Sequence, residues 1–115
     1  LLSMQRFELE YRILKKLEEN PKLTQRQIAT ELGLSLGKTN YVIRALIDRG
    51  FVKLNNFRTS NNKINYVYLL TINGLSEKAE LAKRFLEYKS KEYDKLKKEI
   101  SMIEKDLLLN KDQHD

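Results

Sequence analysis

Residues 23–50, LTQRQIATELGLSLGKTNYVIRALIDRG, decide the fold. Thr24 can cap the free N–H groups of a helical first turn. Gln27, three residues on, can reach back to the Thr24 backbone as in a capping box, and Leu23 can clip onto Ile28 as a hydrophobic staple. Ile28, Ala29 and Leu32 then repeat at helical spacing. Gly33 supplies a left-handed residue to end the helix, and Ser35 is the next N-cap. Only Gly33 and Leu34 separate the two elements, so the second helix must cross the first steeply and leave its outer face open.

Taking that second helix as Leu36 to Arg49, at 100° per residue, Thr39, Val42, Ile43 and Leu46 fall on one side and are expected in the core. Gly37, Asn40, Tyr41, Arg44 and Asp48 fall on the other, the first four toward the N-terminal half. After Gly50, Phe51 to Leu54 reads as a short strand and Ile64 to Leu70 as a longer one rich in aromatic and branched residues. Between them Asn55 to Lys63 is expected as a loop carrying Arg58 and Lys63 and no acid. Two helices joined by a tight turn, followed by a basic hairpin, spell a winged helix-turn-helix. Double-stranded DNA is the partner this order of parts implies.

The candidate site follows from groove chemistry. Asparagine can bond adenine with two hydrogen bonds and arginine can do the same to guanine, which nominates Asn40 and Arg44. Ser35, Gly37 and Tyr41 join them as base-reading candidates, Gly37 because a missing Cβ lets the backbone approach closely. Lys38 and Arg26 are candidates for phosphates, and Arg58 and Lys63 for the backbone or minor groove beside the wing. A merely solvated face that happens to carry Asn, Tyr and Arg is the competing interpretation. It has most force at Tyr41, since a half-exposed tyrosine often just covers a helix seam.

The chain has 115 residues and a formal charge of +6. Counted along the sequence, the excess is +3 over residues 1–50, +3 over residues 51–71 and zero over residues 72–115. The net positive charge is thus confined to the part expected to meet DNA, where released counterions would drive affinity. This sorting speaks against the rival reading, a protein-interaction scaffold whose winged fold and long helix dock to another protein without specific DNA binding. Cysteine is absent and His114 is the single histidine, which removes disulfides, thiol sensing and a Cys/His metal site; no cofactor is expected. No nucleophile beside a base and no phosphate-cradling glycine loop is found, so an enzyme is not expected. Nor is any stretch apolar enough to span a membrane, and the expected location is the cytoplasm, at the nucleoid. Met4 has the look of a natural start, which would leave Leu1, Leu2 and Ser3 as added residues.

Two flanking helices complete the organisation. Ser3 to Glu19 carries Leu9, Ile13, Leu14 and Leu17 on one stripe, joined by Phe7 or Tyr11, and Asn20-Pro21 stops it. From about Ile72 to Leu109 no glycine or proline follows Gly74, so a single helix of roughly 55 Å is expected at 1.5 Å per residue. Leu75, Ala79, Ala82, Leu86, Lys89, Tyr93, Leu96, Ile100, Ile103 and Leu107 follow alternating steps of four and three, a heptad seam with one polar member. A second stripe of Leu81, Phe85 and Tyr88 widens only its first half, as expected if that half packs on its own domain. Leu86, Tyr93, Leu96, Ile100, Ile103 and Leu107 are the expected dimerisation residues of a homodimer. Parallel pairing would oppose Lys78 to Lys83, Glu92 to Lys97 and Glu99 to Glu104; two of these repel, which leans toward antiparallel or partial contact. The expected architecture is mainly α with a small β-wing: a winged helix-turn-helix domain over residues 1–71, a long C-terminal dimerisation helix over 72–109 and a polar tail over 110–115.

The stretches YRILKKLEENPKLTQRQIATELGLSLGKTNYVIRALIDRGFVKLNNF and YVYLLTINGLSEKAELAKRFLEYK resemble the MarR-type winged-helix transcriptional regulators, in particular the short branch associated with exopolysaccharide biosynthesis loci. LSLGKTNY and YLLT-x-x-G are the more specific pieces. The resemblance implies a bacterial homodimeric DNA-binding regulator, with the 36–49 helix in the major groove and the 55–63 wing at the neighbouring minor groove. The chain departs from the larger members in lacking an Asp-x-Arg pattern in the wing, so that arginine's role passes to Arg58 or Lys63 by position only. It also lacks their extra dimerisation helices, between which phenolic effectors often bind, which puts a small-molecule effector in doubt.

Overall fold

The computed structural model describes residues 4–113, with side chains to residue 111. Six elements follow one another: α1 (Arg6–Glu19), α2 (Gln25–Leu32), α3 (Leu36–Asp48), β1 (Val52–Arg58), β2 (Ile64–Leu70) and α4 (Ile72–Gln113). The chain divides into two units, one ending at Lys83 and one starting at Arg84.

Local chemistry accounts for the helix-turn-helix. Thr24 Oγ1 accepts from the Gln27 backbone at 3.1 Å while Gln27 Oε1 accepts from the Thr24 backbone at 2.9 Å, so the capping box is complete. Gly33 ends α2 at φ 68°, a conformation that penalises any side chain with a Cβ. Ser35 Oγ then accepts from the Lys38 backbone at 3.1 Å and opens α3. Thr39, Val42, Ile43 and Leu46 are fully buried, as the helical periodicity requires, against Leu9, Ile13, Leu14 and Leu17 of α1 and Ile28 of α2. Val52, Tyr68 and Leu81 close the same core from β1, β2 and the first turns of α4. Leu81 therefore belongs to the stripe that packs on its own domain.

Ions tie the rim of this core. Glu10, almost fully buried, accepts from Arg6 Nε at 3.0 Å and Arg49 Nη1 at 3.3 Å, and Arg49 Nη2 reaches Glu77 at 3.0 Å. The Arg49 guanidinium also lies 4.8 Å from the centroid of the Phe51 ring. A buried carboxylate is tolerable only when paired, and here two arginines share it.

Several boundaries differ from the sequence expectation. α1 starts at Arg6 and not at Ser3: Gln5, the N-cap, offers no side-chain cap, and Ser3 lies outside the described residues. α3 stops at Asp48, with Arg49 as its C-cap. The largest change is in the wing, where Asn55 to Arg58 belong to β1 and leave only residues 59–63 as the loop. Asparagine is a poor strand former, yet seven residues of β2 offer a full antiparallel ladder that runs from Val52 opposite Leu70 to Arg58 opposite Ile64. Cross-strand bonding overrides local propensity. Finally, α4 continues through residues expected as a polar tail: nothing in Asn110 to Gln113 breaks a helix, and Lys111 suits the carbonyl end. His114 lies outside the described residues.

The junction between wing and α4 explains the YLLT-x-x-G segment. Thr71 Oγ1 accepts from the Gly74 backbone at 3.0 Å, capping α4, and donates to the Gly50 carbonyl at 2.6 Å. The Thr71 backbone N–H donates to the Phe51 carbonyl at 3.1 Å, and Gly74 is buried directly against that carbonyl. In the second unit, α4 exposes Leu86, Tyr93, Leu96, Ile100, Ile103 and Leu107. Its lone polar seam residue, Lys89, pairs with Glu92 at 3.1 Å, and this hydrogen bond holds the Glu92 carboxyl below the ordinary range. Among the described residues no helix is long and apolar enough to cross a membrane.

Candidate nucleic-acid interface

The outer side of α3 follows from its inner side. With Thr39, Val42, Ile43 and Leu46 buried, Gly37, Tyr41 and Arg44 are exposed and Asn40 stands at the margin, half-buried. Arg44 has no ion-pair or hydrogen-bond partner for its side chain among the described residues, and the same is true of Arg26 on α2, Lys38 on α3 and Lys63 in the wing loop. Elsewhere in this unit several cations are held by acids, although Lys15, Lys22 and Lys53 are also unpaired among the described residues. Arg6 is bound to Glu10, Arg12 to Glu8, Lys16 to Glu31, Arg49 to Glu10 and Glu77, and Lys78 to Glu18. An unpaired cation keeps its full charge for an external anion, whereas an ion-paired one has already spent most of it.

Each candidate has a definite setting. Ser35 Oγ is committed as acceptor to its own helix cap, which leaves its hydroxyl proton available. Gly37 lies inside the first turn of α3, and a Cβ added there would meet nothing within 4 Å. The fold gives no reason for a glycine at this position. Tyr41 is 63% exposed, and the Arg6 guanidinium from α1 lies 5.4 Å from its ring centroid. That contact brings an arginine of the first helix beside the α3 surface, a neighbour the sequence did not suggest.

Asn40 is tied more firmly than expected. Its Nδ2 donates to Gln25 Oε1 at 3.0 Å, and Gln25 Nε2 donates to the Tyr68 hydroxyl at 2.9 Å. Gln25 sits at the start of α2 and Tyr68 on β2, where its backbone N–H also donates to the Pro21 carbonyl at 3.1 Å. Asn40 and Arg44 line a cleft of about 350 Å³ together with Gln25, Asp48, and Leu54 and Tyr68 of the wing strands. Neither Gln25 nor Tyr68 was singled out from sequence. The three residues are 15 and 43 positions apart, and no periodicity links them.

At the wing, Arg58 forms the last pair of the ladder and its Nη1 donates to Asn62 Oδ1 at 2.9 Å. Asn62 adopts φ 61°, the left-handed conformation asparagine tolerates best among residues with a side chain. Lys63 is exposed immediately before β2, and its carbonyl accepts from the Thr59 backbone at 3.0 Å. Leu54, Phe57, Ile64 and Tyr66 leave large apolar surface on the ribbon.

Comparison with known proteins agrees with this fold. Residues 6–53, somewhat less than half of the chain, match a family of winged helix-turn-helix DNA-binding domains. A search of curated proteins by sequence returned no match. Among solved structures, the PcaV transcriptional regulator of Streptomyces coelicolor, with its natural ligand, is similar at 25% identity and a TM-score of 0.55, over 69% of this chain and 55% of PcaV. The chain thus spans little more than half of that protein. A PadR-like transcriptional regulator of Bacillus cereus is similar at 16% identity and a TM-score of 0.66, over 76% of this chain and 90% of its own. MarR of E. coli, in its apo form, is similar at 17% identity and a TM-score of 0.53, over 65% and 54%. At such identities the last two likenesses are of fold.

Proposed function

We propose that this chain is a sequence-specific, non-enzymatic DNA-binding transcriptional regulator of MarR type that acts as a homodimer. α3 enters the major groove, and Ser35, Gly37, Asn40, Tyr41 and Arg44 lie in or beside it. Arg26 and Lys38 meet phosphates, and the wing brings Arg58 and Lys63 to the minor groove or the backbone. The observation that carries the reading is the free charge of Arg26, Lys38, Arg44 and Lys63, in a unit where Arg6, Arg12 and Arg49 are held by acids. The LSLGKTNY and YLLT-x-x-G segments support assignment to the short branch found with exopolysaccharide loci. Such a regulator would work on cytoplasmic DNA.

Titration of duplex DNA at two salt concentrations tests the class, because affinity driven by counterion release falls steeply with salt while a protein-docking scaffold has little at either. Selection from a random duplex pool then supplies the cognate site. Arg44→Ala is expected to lose about 1–3 kcal/mol on that site and to relax base preference, whereas Lys63→Ala weakens all sequences alike and reduces the salt slope by about one. Equal loss for Arg44→Ala on cognate and random duplex would refute its reading role.

Gly37 offers a test in which two observables move in opposite directions. Alanine is favoured over glycine by roughly 0.5–1 kcal/mol inside a helix, and the site has room for the added methyl, so Gly37→Ala is expected to raise the melting temperature. The same methyl would stand between α3 and the groove and weaken cognate binding. A variant that gains stability and keeps full affinity would remove Gly37 from the interface.

A further inference from the structure

We propose that Gln25 is the positioning residue that fixes which hydrogen-bonding edge Asn40 offers to DNA, and that this edge selects adenine. The inference rests on the reading of α3 as the groove helix and goes further by assigning a base to one residue and a controlling role to another outside α3. A carboxamide on an exposed helix face can turn its oxygen or its nitrogen outward, and the two orientations recognise different bases. In this structure Asn40 takes one of these orientations. One of its Nδ2 protons is donated to Gln25 Oε1 at 3.0 Å, which turns the nitrogen toward α2 and leaves Oδ1 and the second N–H uncommitted. One acceptor beside one donor is the pair needed to receive adenine N6–H and to donate to adenine N7.

Gln25 is itself held. Its Nε2 donates to the Tyr68 hydroxyl at 2.9 Å, and the Tyr68 side chain is buried at the base of the wing. The chain Asn40 to Gln25 to Tyr68 has a direction, because each amide donates to the next group along. A reversed chain, with the Tyr68 hydroxyl donating to Gln25 and Gln25 donating to Asn40 Oδ1, would turn both Nδ2 protons outward toward acceptors such as guanine N7 and O6. Gln25 is the group whose side chain can adopt either direction, so chemical changes at position 25 separate them.

Gln25→Glu allows only one direction. A carboxylate accepts from Asn40 Nδ2 and from the Tyr68 hydroxyl, and it cannot donate to Asn40 Oδ1. Gln25→Leu removes the hold on Asn40 and keeps similar bulk. The experiment takes the full chain and its selected cognate duplex and measures relative affinity for the four bases at each half-site position, with a melting temperature for every variant. Wild type is expected to prefer adenine at one position, by a ratio on the order of tenfold or more that Asn40→Ala brings to near unity. Gln25→Leu should lose most of that ratio. Gln25→Glu should weaken binding to every sequence, since it adds negative charge beside DNA, yet keep the adenine ratio. Tyr68→Phe gives a second, uncharged measurement should Gln25→Leu fold poorly, and is expected to lower the ratio partway. An adenine ratio that survives Gln25→Leu, or that vanishes in Gln25→Glu, would overturn the proposal. Failure of wild type to prefer any sequence would instead overturn the reading of α3 on which it rests.

Discussion

Gly74→Ala is expected to destabilise the fold by about 3 kcal/mol, the upper end of what overpacking usually costs and a large fraction of the stability of a small domain. A Cβ built at this position lies 2.9 Å from the carbonyl carbon of Phe51 and closer still to its oxygen, distances at which one partner has to move. Flexible side chains yield cheaply; here the obstacle is backbone, and it is held from several sides. The Phe51 carbonyl accepts from the Thr71 backbone, the Phe51 backbone N–H donates to the Leu46 carbonyl at 2.9 Å, and Thr71 in turn caps α4 through Gly74 itself. Relieving the clash therefore strains the cap of α4, the entry to β1 and the end of α3 together. Urea unfolding should give a lowered midpoint with little change in slope. Gly37→Ala makes the matched control, since the same substitution in open space is expected to move the midpoint up. A Gly74→Ala protein as stable as wild type would mean that α4 does not begin against the strand in this way.

What the sequence made legible was the part controlled by residues close to one another along the chain. Thr24, Gln27, Gly33 and Ser35 act within a single turn, and each takes the capping role its chemistry suggests. The 3.6-residue period identified the buried side of α3 because Thr39, Val42, Ile43 and Leu46 have to satisfy one core. The wing was less legible. Asn55, Asn56 and Arg58 look like loop residues until a long partner strand supplies their hydrogen bonds. The same limit applies to the candidate site. Helical projection located Asn40 at the edge of the outer face, but its amide is oriented by Gln25 and Tyr68, which only the tertiary fold brings near. Arg6 beside Tyr41 belongs to this class too.

The second large effect concerns the second half of α4. Disrupting the seam with Ile100→Asp and Ile103→Asp together is expected to convert a dimer into a monomer in sedimentation, and to weaken binding to a two-half-site duplex by about 10²-fold or more through loss of avidity. Affinity for a single half-site should stay where it was. The physical basis is that Leu86, Tyr93, Leu96, Ile100, Ile103 and Leu107 repeat at heptad spacing and are roughly half or more exposed, a stripe that the proposed homodimer would bury against a second chain. Orientation is a separate matter. Of the two repulsive pairs that disfavour a parallel arrangement, one involves Lys78 and Lys83, and these are already bound to Glu18 at 2.9 Å and Glu80 at 3.3 Å within their own chain. These pairs weaken the repulsion between the lysines, so the preference for antiparallel pairing rests mainly on Glu99 and Glu104. Glu99→Lys would then turn that pair attractive in a parallel dimer and tighten it. Monomeric behaviour of the wild-type chain at concentrations where it binds a two-half-site duplex tightly would remove the seam from the account of its affinity.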